Sequence, residues 1–448
     1  MERRKVDVIS GARILFEGWD PSRRYDVILD DSNIKEITPY DPGPRASAGD
    51  NVLDATNHLL APSLCHAHIH LDKCFLLSDP KYVDLEIVKG DFKEALELTS
   101  KAKARFEKDD LLRRGKWLIA ESIAAGVTHM RAFAEVDHIV EFKCLDAAIE
   151  LKKTFADACE IQICAFAQEP IYSGKHFEIN RNLLERAIIK DDVEVLGTTP
   201  YVETSSLASS QNMLWALHTA KTHTKHLDLH LDYNLNPKEH SQTVDFLTKA
   251  QNYAPLPEKR TIALGHCTRL SLFGQNGWQS QLNMMQGPLP IFFIGLPTSD
   301  MYIQGRPKAD EGGGQRPRGT LQIPQMIHKY GLNGAIAINN VGNAFTPHGS
   351  CDPLGIASMG VGIYHAGTKA DAQLLYECVS TRAKEAIGYG GGTSTPFKVG
   401  EEANFVLFDV GRGEGMLSRE RGRRSMQEVV CDPPRERRTV FKGRLIVI

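Results

Sequence analysis

From residue 59 to residue 338, short apolar runs alternate with longer stretches rich in helix formers, and this alternation limits the fold more than any other feature. Runs at 59–64, 127–133, 161–166, 194–197, 227–231, 261–266, 290–294 and 334–338 carry branched residues and read as strands. Helical stretches at 91–116, 111–125, 145–158, 183–189, 213–222 and 241–252 fall between them, and Gly126 ends the second. Eight strands separated by crossovers predict a parallel α/β barrel. An open doubly wound sheet alternates in the same way. It needs a Gly-x-Gly-x-x-Gly turn to receive a nucleotide, and the chain has none. The glycine runs at 312–314 and 390–392 read as loops instead.

The flanks have a different texture. Residues 6–60 read as short strands joined by turns, with a Pro-, Gly- and Ser-containing loop at 41–50. Segments 399–409 and 440–447 return to strand character, and 411–424 is a charged loop. At 448 residues the chain exceeds one ordinary core, so a large barrel with a smaller companion domain is expected. A formal charge of -3 gives no reason to expect nucleic acid or an anionic membrane as partner. No apolar run approaches the ~20 residues of a membrane span. The charged start Met1-Glu2-Arg3-Arg4-Lys5 lacks the apolar core of a signal peptide. Nine cysteines without a Cys-x-x-Cys pair fit a reducing compartment, and a cytoplasmic location is expected.

Chemistry enters at Cys65-His66-Ala67-His68-Ile69-His70-Leu71-Asp72, directly after the first apolar run. In an extended chain His66, His68 and His70 would share one face. One histidine is more often hydrogen-bonded than ligating. Three neutral imidazoles aimed the same way can hold zinc or iron.

His-Ile-His-Leu-Asp after Ala61-Pro62 resembles the first-strand motif of the amidohydrolase superfamily of metal-dependent hydrolases, in its cytosine deaminase-like branch. The resemblance implies an α/β fold, a (β/α)8 TIM barrel with a small β-sandwich domain built from both termini. It divides the chain into sandwich at 1–60, barrel at 61–394 and sandwich again at 395–448. It implies one divalent ion, Zn or Fe, on His68, His70 and His230, with His266 on the sixth strand orienting the attacking water or binding the metal itself. Gln168 after the third strand, Gln304 in Ile303-Gln304-Gly305-Arg306, Arg131 on the second strand and Asn340 match substrate-side positions. The implied substrate is a small heterocycle; a second copy of the chain is left open as a partner.

Two positions depart from the family pattern. Asn339 stands where the eighth strand carries a metal-ligating aspartate, and an amide cannot serve as a carboxylate base. Tyr233 stands where the deaminases carry a proton-shuttling glutamate, three residues after His230. A tyrosine with a pKa near ~10 is a poor shuttle at neutral pH. Asp232 and Glu203 remain as carboxylates nearby in sequence. Loss of a general base costs about 10²–10⁴-fold in rate. Three readings follow: hydrolysis of a cyclic C–N bond by deamination or ring-amide cleavage, a non-hydrolytic reaction in the same pocket, or a barrel kept for binding or assembly.

Overall fold

The computed structural model describes the chain except residues 44–50, 252, 255, 258–259, 307–316, 391–395 and 410–420. The loops expected at 41–50, 312–314, 390–392 and 411–424 lie wholly or partly outside the described residues.

Eight parallel strands form the barrel in sequence order. They are Leu64–His70, Val127–Glu135, Glu160–Ala167, Val195–Thr198, His226–Leu231, Ile262–His266, Ile291–Gly295 and Gly334–Ile336. The ring closes where the first strand meets the chain just past the eighth. There His70 N donates to Asn339 O at 2.8 Å, and Asn339 N donates to His68 O at 3.2 Å. Helices cover the outside, so strands such as Val127–Glu135 are buried along their whole length. Leu118, Ile119 and Ile123 of helix Lys108–Ala124 join Leu64, Ile69 and Met130 in the core between helices and strands. Helix starts are set locally: Ser205 accepts from Ala208 N, and Ser241 accepts from Val244 N.

The expected helix over 91–116 is two helices, Phe92–Lys103 and Lys108–Ala124. The chain turns between them and buries Phe106 with its ring 6.1 Å from that of Tyr82. The apolar run at 59–64 is not the first barrel strand either. It divides at Ser63: His58–Pro62 pairs antiparallel with Phe405–Asp409, and the histidines lie within the next strand, Leu64–His70. Pro62 has no N–H to continue the first ladder.

The second sheet has nine strands drawn from both ends of the chain. Glu2–Lys5, Arg444–Val447, Arg437–Phe441, Phe405–Asp409, His58–Pro62, Val8–Ile14, Tyr25–Asp30 and Asn33–Pro39 lie in that order, with Val52–Asp54 beside Val8–Ile14. Its own core includes Ile9, Val27, Leu60, Phe405, Leu407 and Val440. Arg437 ties the sheet to the barrel by forking onto Asp352 at 2.8 and 2.6 Å. Among the described residues no helix is long and apolar enough to cross a membrane.

The expected single face of His66, His68 and His70 is broken by a register shift between His66 and Ile69. Before it, Cys65 and Ala67 pack inward with Ala263, Ala335 and Ala337. After it, Ile69 packs outward and His68 and His70 turn in. His66 therefore points at helix Lys108–Ala124, with Nε2 3.0 Å from Ser122 Oγ. A bulge changes which parity faces the core.

The barrel interior leaves no room at Gly197, where an added Cβ would lie 2.6 Å from Cys164 Sγ and 2.9 Å from Phe166. Gly197→Ala is expected to lower unfolding stability by about 1–3 kcal/mol, the usual cost of overpacking. Chemical denaturation monitored by far-UV circular dichroism checks it.

Candidate metal and catalytic site

His68 and His70 come from the first barrel strand and His230 from the fifth, and all three are buried. His230 Nε2 lies 3.0 Å from His68 Nε2 and 3.3 Å from His70 Nε2. Phe133 packs 4.0 Å from the His68 ring and Phe166 4.6 Å from the His230 ring, which keeps the cluster dry. Burial holds all three imidazoles well below the ordinary histidine pKa, so their lone pairs are free at neutral pH. The Nδ1 atoms of all three are buried without a hydrogen-bond partner. Three crowded nitrogens cannot all be satisfied by protons shared among themselves. A tetrahedral ion with bonds of about 2.0–2.1 Å places its nitrogens about 3.3–3.4 Å apart, so the spacing fits one divalent ion.

Beside the cluster is a narrow cavity whose lining includes His70, His230, His266, Gln168, Asn339 and Asn340. Phe92, Tyr201 and Phe345 supply aromatic walls. His266 ends the sixth strand with φ 65°, and its Nδ1 lies 2.6 Å from Asp300 Oδ1. The other carboxylate oxygen of Asp300 accepts from Thr320 Oγ1 at 2.6 Å. That bond assigns the Nδ1 proton to the Asp300 side and leaves Nε2 for the cavity.

Asn339 reaches the cavity from the barrel closure, at φ 70°, a backbone region that Asn tolerates better than most residues. Its Nδ2 donates to Ser299 Oγ at 2.9 Å, and its Oδ1 is buried and unpartnered. Gln168 accepts from Lys73 Nζ at 3.3 Å and keeps a buried, unpartnered Nε2. Asn340 Oδ1 accepts from Asn343 Nδ2 at 2.8 Å.

Four expected site residues lie elsewhere. Asp232 is occupied as a helix cap, accepting from Ser241 Oγ at 2.6 Å, Gln242 N at 2.8 Å and Thr243 N at 3.0 Å. Tyr233 stacks on Phe92 at 4.1 Å in an outer groove; burial, then Glu239 and Asp91, push its hydroxyl up to about 12. A phenol so shifted is further still from shuttling protons at neutral pH. Gln304 lines the same groove, with Nε2 donating to the Tyr233 and Asp300 carbonyls. Arg131 is buried beneath the histidines, donating to Asp228 Oδ2 at 2.9 Å and to Gln162 Oε1 at 2.8 Å. Glu203 accepts from Ile171 N and Asn212 Nδ2, both at 2.9 Å.

Sequence reasoning missed Asp300, Asp228 and Lys73. Lys73 donates to Glu135 Oε1 at 2.6 Å, and Glu135 is shared with Lys103 at 2.8 Å. Burial alone would raise the Glu135 carboxyl, but the two ammonium groups hold it well below the usual carboxylate range. Asp228, two residues before His230 on one strand, could have been found by alternation. Asp300 carries no local signal.

No family model matches the chain. A curated relative, the N-isopropylammelide isopropyl amidohydrolase of Pseudomonas sp. (strain ADP), is 22% identical over 368 residues, covering 80% of this chain and 81% of that protein. The crystal structure of 5-methylcytosine deaminase from Klebsiella pneumoniae, liganded with phosphonocytosine, superposes with a TM-score of 0.81 at 21% identity, covering 98% of each chain. N-isopropylammelide isopropylaminohydrolase from Burkholderia multivorans ATCC 17616 gives 0.71 at 19% identity, over 100% of this chain and 98% of that one. Atrazine chlorohydrolase from Arthrobacter aurescens TC1, complexed with zinc, gives 0.65 at 15%, over 98% and 95%. At these identities the likeness speaks for architecture: the chain shares the fold of these hydrolases, an eight-stranded parallel barrel with a second sheet built from both ends of the chain.

Proposed function

We propose that this protein is a metal-dependent hydrolase acting on a non-peptide C–N bond of a small, planar heterocycle, by deamination or cyclic-amide cleavage. The observation that carries the reading is the meeting of three buried imidazole Nε2 atoms from two strands, each with an orphaned Nδ1, beside a small polar cavity. Active sites of such barrels gather at the C-terminal strand ends, where these residues lie. The relatives named above are supporting evidence, since their names describe hydrolytic chemistry on pyrimidine and triazine rings.

His68, His70 and His230 would hold zinc or iron. Such an ion supplies Lewis acidity toward water and the substrate. His266, with its Nδ1 proton held by Asp300, would take a proton on Nε2 and return it to the leaving nitrogen. The Asp300 carboxylate would stabilise the imidazolium formed between those two transfers. Gln168 Nε2 and Asn340 would meet the ring's polar edge, and Phe92, Tyr201 and Phe345, which line the same cavity, its faces. Asn339 Oδ1 can accept a hydrogen bond but cannot accept a proton at neutral pH. Eight of nine cysteines are buried and all are free, which supports a reducing, cytoplasmic setting.

The non-hydrolytic reading stands second. No carboxylate is among the described residues lining the cavity, so the proton handling rests on His266 and Asp300.

Three outcomes test the proposal. Elemental analysis should find one zinc or iron per chain, lost in His70→Ala and His230→Ala while both stay folded. Metal-loaded protein should turn over a member of a panel of small rings, read as ammonia or amine release from pyrimidines and triazines and as the ring-opened product by mass spectrometry from cyclic ureas and lactams; no turnover of any of them rejects hydrolysis. Asp300→Asn should lower kcat by roughly 10²–10⁴-fold with KM little changed, read by steady-state kinetics on the best substrate.

A further inference from the structure

Beneath the histidine cluster the barrel buries a charged pair that no substrate reaches. Arg131 and Asp228 are both fully buried. Guanidinium–carboxylate pairs are frequently two-pronged, which satisfies both carboxylate oxygens. This one is single-pronged: Arg131 Nη1 donates to Asp228 Oδ2 at 2.9 Å, while Arg131 Nη2 and Asp228 Oδ1 have no partner. Asp228 Oδ1 lies 3.7 Å from His68 Nδ1, itself buried and unpartnered. Two orphaned polar atoms of opposite hydrogen-bonding sense thus lie side by side in a dry interior. Room for the approach comes from Gly265, where a Cβ would lie 3.3 Å from His68 Cε1 and 3.6 Å from its Nδ1.

We infer that Asp228 is a positioning residue of the metal centre: it accepts the Nδ1 proton of His68 and so sets how tightly the site holds its ion. This rests on the metal reading proposed above. An imidazole that ligates through Nε2 must carry its proton on Nδ1, and a buried N–H without an acceptor costs about 1–3 kcal/mol. Asp228 removes that cost, fixes the tautomer and ring orientation, and adds negative charge behind a ligand set that is otherwise neutral. Asn339, an amide at the position of a family carboxylate ligand, makes that charge more valuable here. Arg131 holds Asp228 in place and is in turn held by Gln162, whose Nε2 donates to Ile387 O at 2.9 Å.

The test is the zinc dissociation constant of the metal-stripped full chain, measured in competition with a chelating indicator at fixed pH. Asp228→Asn is expected to bind zinc about 10–100-fold more weakly than the unmodified protein, with an unchanged circular dichroism spectrum. A pair with a packing role alone would lower Tm and leave the dissociation constant where it was, and that result overturns the inference. Should Asp228→Asn fail to fold, Asp228→Asn with Arg131→Met removes both charges together, and the same loss of zinc affinity is expected. If the unmodified protein holds zinc no better than His70→Ala, the metal reading itself falls, an outcome distinct from an Asp228→Asn variant that binds normally.

Discussion

Crowding of imidazole nitrogens in a water-poor interior is the constraint on which the site depends. Neutral histidines that close would leave lone pairs and N–H groups unsatisfied, a costly state in a medium of low polarity. A divalent cation resolves it, because it takes three lone pairs at one point and fixes each tautomer. The aromatic rings of Phe133 and Phe166 make the requirement stricter by keeping water away from the same nitrogens.

Several charged side chains are buried in ion pairs at the barrel. Arg131 with Asp228, and Lys73 and Lys103 around Glu135, sit where a hydrophobic core would stabilise the fold as well or better. Their placement follows the site: one pair backs His68, and Lys73 reaches Gln168 on the cavity wall. The interior thus carries a field suited to holding a cation and orienting a polar substrate.

The two positions where the sequence resemblance led one to expect carboxylates are placed differently from each other. The amide of Asn339 still meets the cavity, but Tyr233 has left it for an aromatic stack with Phe92. The carboxylate held against a cavity-lining histidine is Asp300, 2.6 Å from His266 Nδ1. A histidine backed by a buried carboxylate can accept and return one proton, which is the role the proposed function gives to this pair.

Periodicity in the chain determined the number, order and direction of the barrel strands, because apolar runs and crossovers are local properties. It also marked His68, His70, His230 and His266, each at a strand end where barrel side chains converge. Alternation alone failed at His66, since a bulge two residues on changes which side faces in, and a bulge has no mark in the spacing of side chains. Only the tertiary structure decided that Asp232 would cap a helix, that Arg131 would sit below the histidines rather than against substrate, and that Asp300 would find His266. Those pairings join residues from different strands or loops, and their energies depend on burial and distance, which exist only once the ring of strands has closed.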